Sequence, residues 1–360
     1  MLFRYYLVNL FSFIKRFFAF NANIYNSIVF IPLFTVLTGT ISKHSLKFIL
    51  LFSLVIILSG NIQSFVPLGP FFMLLLAIPM FKKVKFEQLI QKSFPFFVIV
   101  SFYGIYQKIF GYTSIEINWI ISGLSFAEER AFIASDDIRP FSTFASMPEF
   151  TLFISIYLYY FKSKGKTLLL LFSFGMLYLA GSRGVFISVL TAYFFVFILK
   201  KYKKRHIWMS FLASAAIFFS LIFVFPLFFD TTDYSSRMLA YGTFNGRIDL
   251  LTRILELTSP SSIFTGVNLS DLNIENTFDN MYFMLVANFG IVGASYFIFS
   301  FFNHKIDRKN FYFFSIFLGY GFYADMIFSY YLMFLFFIAI HSYSVDLNEE
   351  NINQQKIINA

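Results

Sequence analysis

The chain has 360 residues, of which 58% are hydrophobic and only 13% are charged. A soluble protein of this length would carry about a quarter charged residues, so the composition excludes an ordinary soluble fold and indicates a membrane protein. The net charge is +9 and there are no cysteines, which excludes disulfides and thiolate metal sites. Because most of the positive charge lies between apolar runs, it does not indicate nucleic-acid binding.

Long apolar runs alternate with short polar breaks, which predicts an all-α, polytopic integral membrane protein with about 11–12 transmembrane helices. Residues 3–20, interrupted by Lys15 and Arg16, are either a twelfth span or an uncleaved interfacial helix. We interpret the abundance of Phe and Tyr mainly as lipid-facing bulk. The last two predicted spans could also form one long helix. The spans are predicted at 24–41, 46–60, 65–81, 94–110, 148–161, 167–181, 185–199, 207–229, 280–302, 311–325 and 327–343.

Every second break between these spans is rich in lysine and arginine, which predicts that these breaks are cytoplasmic. The positive breaks are 43–47, 82–92, 162–166, 200–205 and 305–309. The outer side then carries two large loops, 111–147 and 230–279, and a tight turn at 182–184. We predict a single transmembrane domain at 1–343 and a polar cytoplasmic tail at 344–360.

The basic residues of the predicted outer loops are all arginines, whereas the cytoplasmic breaks carry mainly lysine. Guanidinium presents a flat fork of donors that matches two phosphate oxygens at once, so the pattern indicates a phosphate-binding outer face. A solvated loop charge is the alternative for each arginine, and it is the stronger reading for Arg237 and Arg253. The outer arginines are Arg130, Arg139, Arg183, Arg237, Arg247 and Arg253.

The turn Gly181-Ser182-Arg183-Gly184 holds Arg183 beside a helix N-terminus, which favours anions. Its alternative role is to anchor the hairpin by snorkelling. Arg139 precedes a stretch of small and hydroxyl residues, and Glu149 follows that stretch. In the second loop, Arg247 opens an amphipathic helical pattern. Asp279-Asn280 ends this loop, and Asp279 is either the partner of an arginine or a reactive base.

Some chemistries are excluded by what the outer segments lack. The histidines His44, His206, His304 and His341 fall at cytoplasmic breaks or ends, so we expect neither a histidine base nor a metal site on the outer face. The chain has no glycine-rich nucleotide loop. We therefore expect no cofactor and a substrate that arrives already activated.

Four outer segments, in this order, resemble the superfamily of O-antigen polymerases (Wzy-type) and O-antigen ligases. They are Arg139 with 142–148, Ala180-Gly181-Ser182-Arg183-Gly184, Gly246-Arg247-Ile248, and Asp279-Asn280 followed by Gly290-Ile291-Val292-Gly293. The family often has histidine where this chain has Asp279. That departure favours a polymerase over a ligase, because ligases keep the histidine more regularly.

The resemblance implies a multi-pass enzyme of the bacterial cytoplasmic (inner) membrane that takes part in lipopolysaccharide, capsule or exopolysaccharide synthesis. A polymerase would transfer the growing glycan from undecaprenyl diphosphate to the next lipid-linked repeat unit. Arg139, Arg183 and Arg247 would bind the diphosphate, supported by Ser182, Gly184 and Asn280, and Asp279 or Glu149 would act on the acceptor. A chain-length regulator and a flippase would be its protein partners.

Two other functions fit part of the pattern. A lipid-linked oligosaccharide flippase would need charged residues inside the spans, where few occur. An O-antigen ligase would carry the same outer motifs and differs from a polymerase in its acceptor.

Overall fold

A computed structural model describes residues 43–58, 65–123, 140–144, 147–199, 203–220, 280–301, 306–323 and 330–343, with single positions at 252, 264 and 266. The regular elements of these segments are helices, and one isolated β-bridge pairs Lys85 with Tyr343. The first segment 3–20, the predicted span 24–41 and the tail 344–360 lie outside the described residues. The helices are α1 (Lys43–Leu58), α2 (Phe65–Leu76), α3 (Ile78–Phe81), α4 (Phe86–Lys92), α5 (Phe94–Phe110), α6 (Ser114–Gly123), α7 (Met147–Ser163), α8 (Thr167–Leu179), α9 (Arg183–Ile198), α10 (Lys204–Phe219), α11 (Met281–Phe301), α12 (Arg308–Tyr320) and α13 (Tyr330–His341).

Most helices coincide with predicted spans, and the exceptions have local causes. The predicted span 65–81 is broken at Ala77, because Pro79 has no N–H for a continuous helix and would clash with the preceding turn. The predicted loop 111–147 contains α6, a helix that we did not predict. Lys108 lies in the last turn of α5, at its predicted outer end. The basic residues of the predicted outer side therefore include a lysine once helix ends are counted with the loops.

Few of the described helices are long enough to cross a bilayer by themselves. Met281–Ile298 passes a test of length and hydropathy, and the pair Phe86–Lys92 and Phe94–Phe110, bent by 56°, counts as a second span if it is taken as one. The other apolar helices in the described segments have 10–17 residues. The described part of the structure is therefore all-helical, and it does not establish the predicted number of spans.

The helices form an inner group surrounded by an outer one. The described side chains of α12 and α13 are almost all buried, and so are those of α7 from Glu149 to Leu158. A helix that is apolar and buried on all sides belongs in the middle of a bundle. The outer helices instead expose rows of large apolar side chains. These rows include Leu46, Leu50, Leu54 and Ile57 on α1, Ile99, Phe102 and Ile109 on α5, and Leu190, Phe194 and Ile198 on α9.

The aromatic residues pack mainly inside the bundle, and our interpretation of them as lipid-facing bulk is wrong for the part of the chain that the structure describes. Phe97 stacks on Tyr157 with 4.3 Å between the ring centroids, and Phe317 stacks on Phe336 at 4.4 Å. Such ring pairs add about 0.5–1.5 kcal/mol each beyond the area that they bury.

Three predicted cytoplasmic segments meet at one end of the bundle. The backbone N–H of Phe86 donates to the carbonyl oxygen of Tyr343 at 2.9 Å, and the N–H of Tyr343 donates to Val84 at 3.0 Å. The buried ammonium group of Lys309 donates to the carbonyl oxygens of Ile340 and Ser342, at the C-terminal end of α13. The breaks 82–92 and 305–309 and the end of α13 are therefore neighbours, as the alternating charge pattern requires.

Candidate functional site

The opposite end of the bundle carries the tight turn before α9. Ser182 is half-buried and extended, with φ −82° and ψ 91°, and its carbonyl oxygen accepts the N–H of Phe186 at 3.0 Å. Its hydroxyl group makes no capping hydrogen bond. In α12, by contrast, the side chain of Asp307 accepts the N–H of Asn310 at 2.7 Å. The start of α9, at Arg183, is thus a helix N-terminus whose first-turn donors are not capped by the preceding side chain.

Gly184, the second residue of α9, lies directly against Tyr323. A Cβ atom placed on Gly184 would be 2.3 Å from the Cβ atom of Tyr323, far inside contact distance. One residue before the end of α12, a Cβ atom on Gly319 would be 2.9 Å from the hydroxyl oxygen of Ser188 on α9. Helices α9 and α12 therefore approach closely along small residues.

Asn280 joins the start of α11 to the same region. Its side-chain oxygen accepts the N–H groups of Tyr282 and Phe283 at 3.0 and 3.1 Å, which caps the helix. Its amide group donates to the carbonyl oxygen of Phe322 at 3.0 Å. The N–H of Met281 also donates to the carbonyl oxygen of Gly321, at 2.7 Å. Asn280 is fully buried, so these bonds are protected from water.

Two of the predicted motifs therefore meet at the turn that follows α12. Gly184 packs on Tyr323, and Asn280 binds Phe322, the residue next to it. The residues that immediately precede Gly184 and Asn280 in the chain are Arg183 and Asp279. Residues of these two motifs are thus brought to one end of the bundle although almost a hundred positions separate them in the sequence.

Glu149 belongs to another helix. It is buried in the first turn of α7, where a carboxylate interacts favourably with the helix dipole. The next residue, Phe150, packs against Gly104 of α5 and Phe144. The contacts that join Gly184 and Asn280 do not include Glu149. The other predicted residues Arg139, Arg247 and Asp279 lie outside the described residues, as do Arg130, Arg237 and Arg253.

The turn Gly321–Tyr323 is the part of this site that we did not identify from the sequence. Tyr323 and Phe322 stand in an apolar run and carry no charge, so they resemble ordinary span residues. The available signal was a pair of glycines, Gly319 and Gly321, next to aromatic residues, because glycine commonly marks a close approach of two backbones.

Within the described segments, no group of three or more His, Asp or Glu side chains has the geometry of a metal site.

A family model described as O-antigen ligase matches residues 168–298. This match supports membership of the O-antigen polymerase and ligase superfamily, which the sequence motifs also resemble. No curated protein and no solved structure matches the chain. The matched region contains α8 to α10 and most of α11, and with them both Ser182–Gly184 and Asn280. Members of the superfamily are membrane proteins that act on lipid-linked oligosaccharides. Arg139 and Glu149 precede the matched region.

Proposed function

We propose that this protein is a polysaccharide polymerase. It transfers a growing glycan from undecaprenyl diphosphate to the next lipid-linked repeat unit at the outer face of the bacterial cytoplasmic membrane. The observation that carries the proposal is the meeting of the Ser182–Gly184 turn and Asn280 at the turn Gly321–Tyr323. Because Arg183 and Asp279 adjoin these contacts in the chain, the meeting supports a common site for the leaving group and the acceptor.

The start of α9 suits a diphosphate. The first-turn N–H groups that Ser182 does not cap and the positive end of the helix dipole both favour an anion there. The guanidinium group of Arg183, at the first position of the helix, adds a fork of donors for phosphate oxygens. Arg139 and Arg247 complete the set in our proposal, each from one of the two large outer loops.

The transfer needs little beyond positioning and charge stabilisation. The bond between the anomeric carbon and the diphosphate oxygen breaks, and the acceptor hydroxyl oxygen forms the new glycosidic bond. The electron pair of the broken bond stays on the diphosphate, where the arginines stabilise the developing charge. The hydroxyl proton passes to a carboxylate, and direct displacement inverts the configuration of the anomeric carbon.

Asp279 is our first choice for that carboxylate, and Glu149 is the second. Asp279 immediately precedes Asn280, whose hydrogen bonds fix the start of α11 to the Gly321–Tyr323 turn. Glu149 is only 3% exposed, so it is less suited to exchange protons with substrate.

The exposed apolar rows on α1, α5 and α9 support the proposed membrane location. Large apolar patches on a soluble monomer are uncommon, whereas lipid favours them. We propose that the single domain 1–343 crosses the bilayer with about 11–12 helices, as the alternating apolar runs predict, with loops 111–147 and 230–279 outside and the tail 344–360 inside.

An O-antigen ligase is the second candidate, because ligase is the description of the matching family model. The two activities share a donor and differ in the acceptor, which is lipid A core for the ligase. A flippase receives less support. In the described segments, the buried Glu and Lys side chains Glu116, Glu149 and Lys309 lie within three residues of helix starts and do not line a path through the bundle.

The test is a chain-length assay in cells that lack the native gene and carry variants of it. We expect Arg183→Ala to abolish the polymer ladder and leave single-repeat product, and Arg183→Lys to be impaired because lysine lacks the fork geometry. Removal of one donor to a developing oxyanion typically costs on the order of 100-fold in rate. Arg308→Ala is the matched control, because Arg308 also opens a helix but is exposed at the other end.

A wild-type ladder from Arg183→Ala would contradict the proposal. If cells with Arg183→Ala instead accumulate full-length polymer on undecaprenyl diphosphate, the protein is a ligase.

A further inference from the structure

Gln107, a residue outside the site above, lies at the centre of a buried polar cluster. It is in the last turn of α5 and is fully buried. Its side-chain oxygen accepts the backbone N–H groups of Phe141 and Ser142 at 3.1 and 2.6 Å. Its amide nitrogen donates to the carboxylate of Glu116 on α6. One side chain thus connects the end of α5, the start of α6 and the turn 140–144.

Glu116 is only 1% exposed and is fixed by several donors. Its second carboxylate oxygen accepts the N–H and the hydroxyl group of Thr113 at 2.8 and 3.0 Å. Its first oxygen accepts the hydroxyl group of Tyr103 at 3.0 Å, in addition to Gln107. These donors fix the carboxyl group of Glu116, which in turn holds the amide of Gln107.

The turn that Gln107 holds has a backbone that needs support. Ser142 adopts a φ of 53°, a left-handed conformation that costs a residue with a side chain about 1–2 kcal/mol. Its hydroxyl group donates to the carbonyl oxygen of Val100 at 2.6 Å. Such strained residues persist only where neighbouring groups fix them, and they concentrate at functional sites.

We propose that Gln107 is a positioning residue for the outer segment that carries Arg139 and Glu149. Arg139 directly precedes the turn 140–144, and Glu149 lies in the first turn of the helix that follows it. Holding the backbone at Phe141 and Ser142 therefore fixes both flanks relative to α5. The inference rests on the proposed function, because it assigns these flanks to the substrate. Gln107 itself does not touch the substrate.

An exchange of the two side chains tests this role. Gln107→Glu keeps an acceptor for the two N–H groups but places a second carboxylate against Glu116, so the turn should be released. The double variant Gln107→Glu with Glu116→Gln restores one donor and one acceptor between the two positions and should restore the turn.

The position of the turn can be measured without any activity assay, because the natural chain has no cysteine. Thr143 is 5% exposed, so the thiol of Thr143→Cys should be protected from a hydrophilic maleimide. We expect Gln107→Glu in this background to raise the labelling rate at least about tenfold, since a 1.4 kcal/mol change in the opening equilibrium suffices for that, and the double variant to return it to the starting value.

Activity is measured on purified full-length enzyme with a lipid-linked repeat unit. We expect Gln107→Glu to lower kcat on the order of 100-fold, because a displacement of about 1 Å in a catalytic group costs that much. The double variant should recover most of it. Tyr157→Phe is the matched control. It removes a buried 2.6 Å hydrogen bond to Ser93, at the other end of α5, and should leave kcat unchanged.

Three results would overturn the positioning role. They are a thiol at position 143 that stays protected in Gln107→Glu, a labelled thiol there with wild-type kcat, and an equal loss of kcat in Tyr157→Phe. If the labelling follows the expected pattern while the wild-type enzyme forms no polymer, the anchoring of the turn stands and the proposed polymerase function fails.

Discussion

At the residue scale, Gly184 belongs to a motif that the sequence identified, but its contact was found only in the structure. The glycines around Arg183 leave room for another group to come close. The structure shows that the group is Tyr323 of the same chain, 2.3 Å from where a Cβ atom would stand. Gly184 is therefore needed first for the packing of α9 on the end of α12.

Gly184→Ala should consequently destabilise the protein by about 1–3 kcal/mol, the usual cost of overpacking a core. Polymer formation should fall as well, because Arg183 moves with the start of α9. Gly175→Ala is the control, since a Cβ atom there meets nothing within 4 Å. It should keep or slightly raise stability through the better helix propensity of alanine. Thermal unfolding in detergent measures both, and equal melting temperatures for the two variants would contradict the packing role.

Asn280 also has a role that its sequence position did not reveal. We predicted a supporting residue beside Asp279, and the structure shows a helix cap that also holds Phe322. The second contact depends on the tertiary fold, because the residue that accepts from the amide group is forty-two positions away in the chain.

At the element scale, α11 departs most from its predicted form. The span 280–302 is predicted as one helix, but Gly290 has φ 64° and ψ 177°, a conformation that is essentially restricted to glycine. Just before this break, a Cβ atom on Gly266 would be 2.4 Å from the carbonyl oxygen of Asn288. A residue of the predicted outer loop therefore contacts the backbone of α11 at Asn288, about 10 Å from the start of the helix.

Gly290→Ala should therefore strain the backbone of α11 by about 1–3 kcal/mol. Gly266→Ala should push against the backbone of Asn288, two residues before the break. We expect both variants to lower the melting temperature, and the double variant to cost less than the sum of the two, because each change releases the same packing. Strictly additive losses would show that the break and the loop contact are independent. Gly175→Ala again provides the baseline.

At the scale of the whole molecule, the distribution of exposed side chains supports a bundle in lipid. Leu50, Phe102 and Phe194 are each about 60% exposed on outer helices, while α7, α12 and α13 are enclosed. The breaks 82–92 and 305–309 meet at one end, and the turns 182–184 and 321–323 at the other. The two ends correspond to the two sides that the charge pattern predicts.

Single cysteines should therefore distinguish the two ends in intact cells. We expect Ser182→Cys to react with a membrane-impermeant maleimide from outside, and Lys164→Cys, exposed in the 162–166 break, to react only after the cells are opened. Leu50→Cys should react with a lipophilic reagent and poorly with a hydrophilic one. Labelling of Lys164→Cys from outside would reverse the predicted orientation and remove the outer-face site.

The sequence by itself determined the helical class, the approximate helix limits and the alternation of charged breaks. These are local properties, because hydropathy and charge act on each segment separately. It also located Ser182–Gly184 and Asn280 as candidates. Only the tertiary structure decided that these two segments meet at Gly321–Tyr323 and that Gln107 holds the turn 140–144. Such meetings depend on which helices pack together, and apolar runs of similar composition do not specify their neighbours.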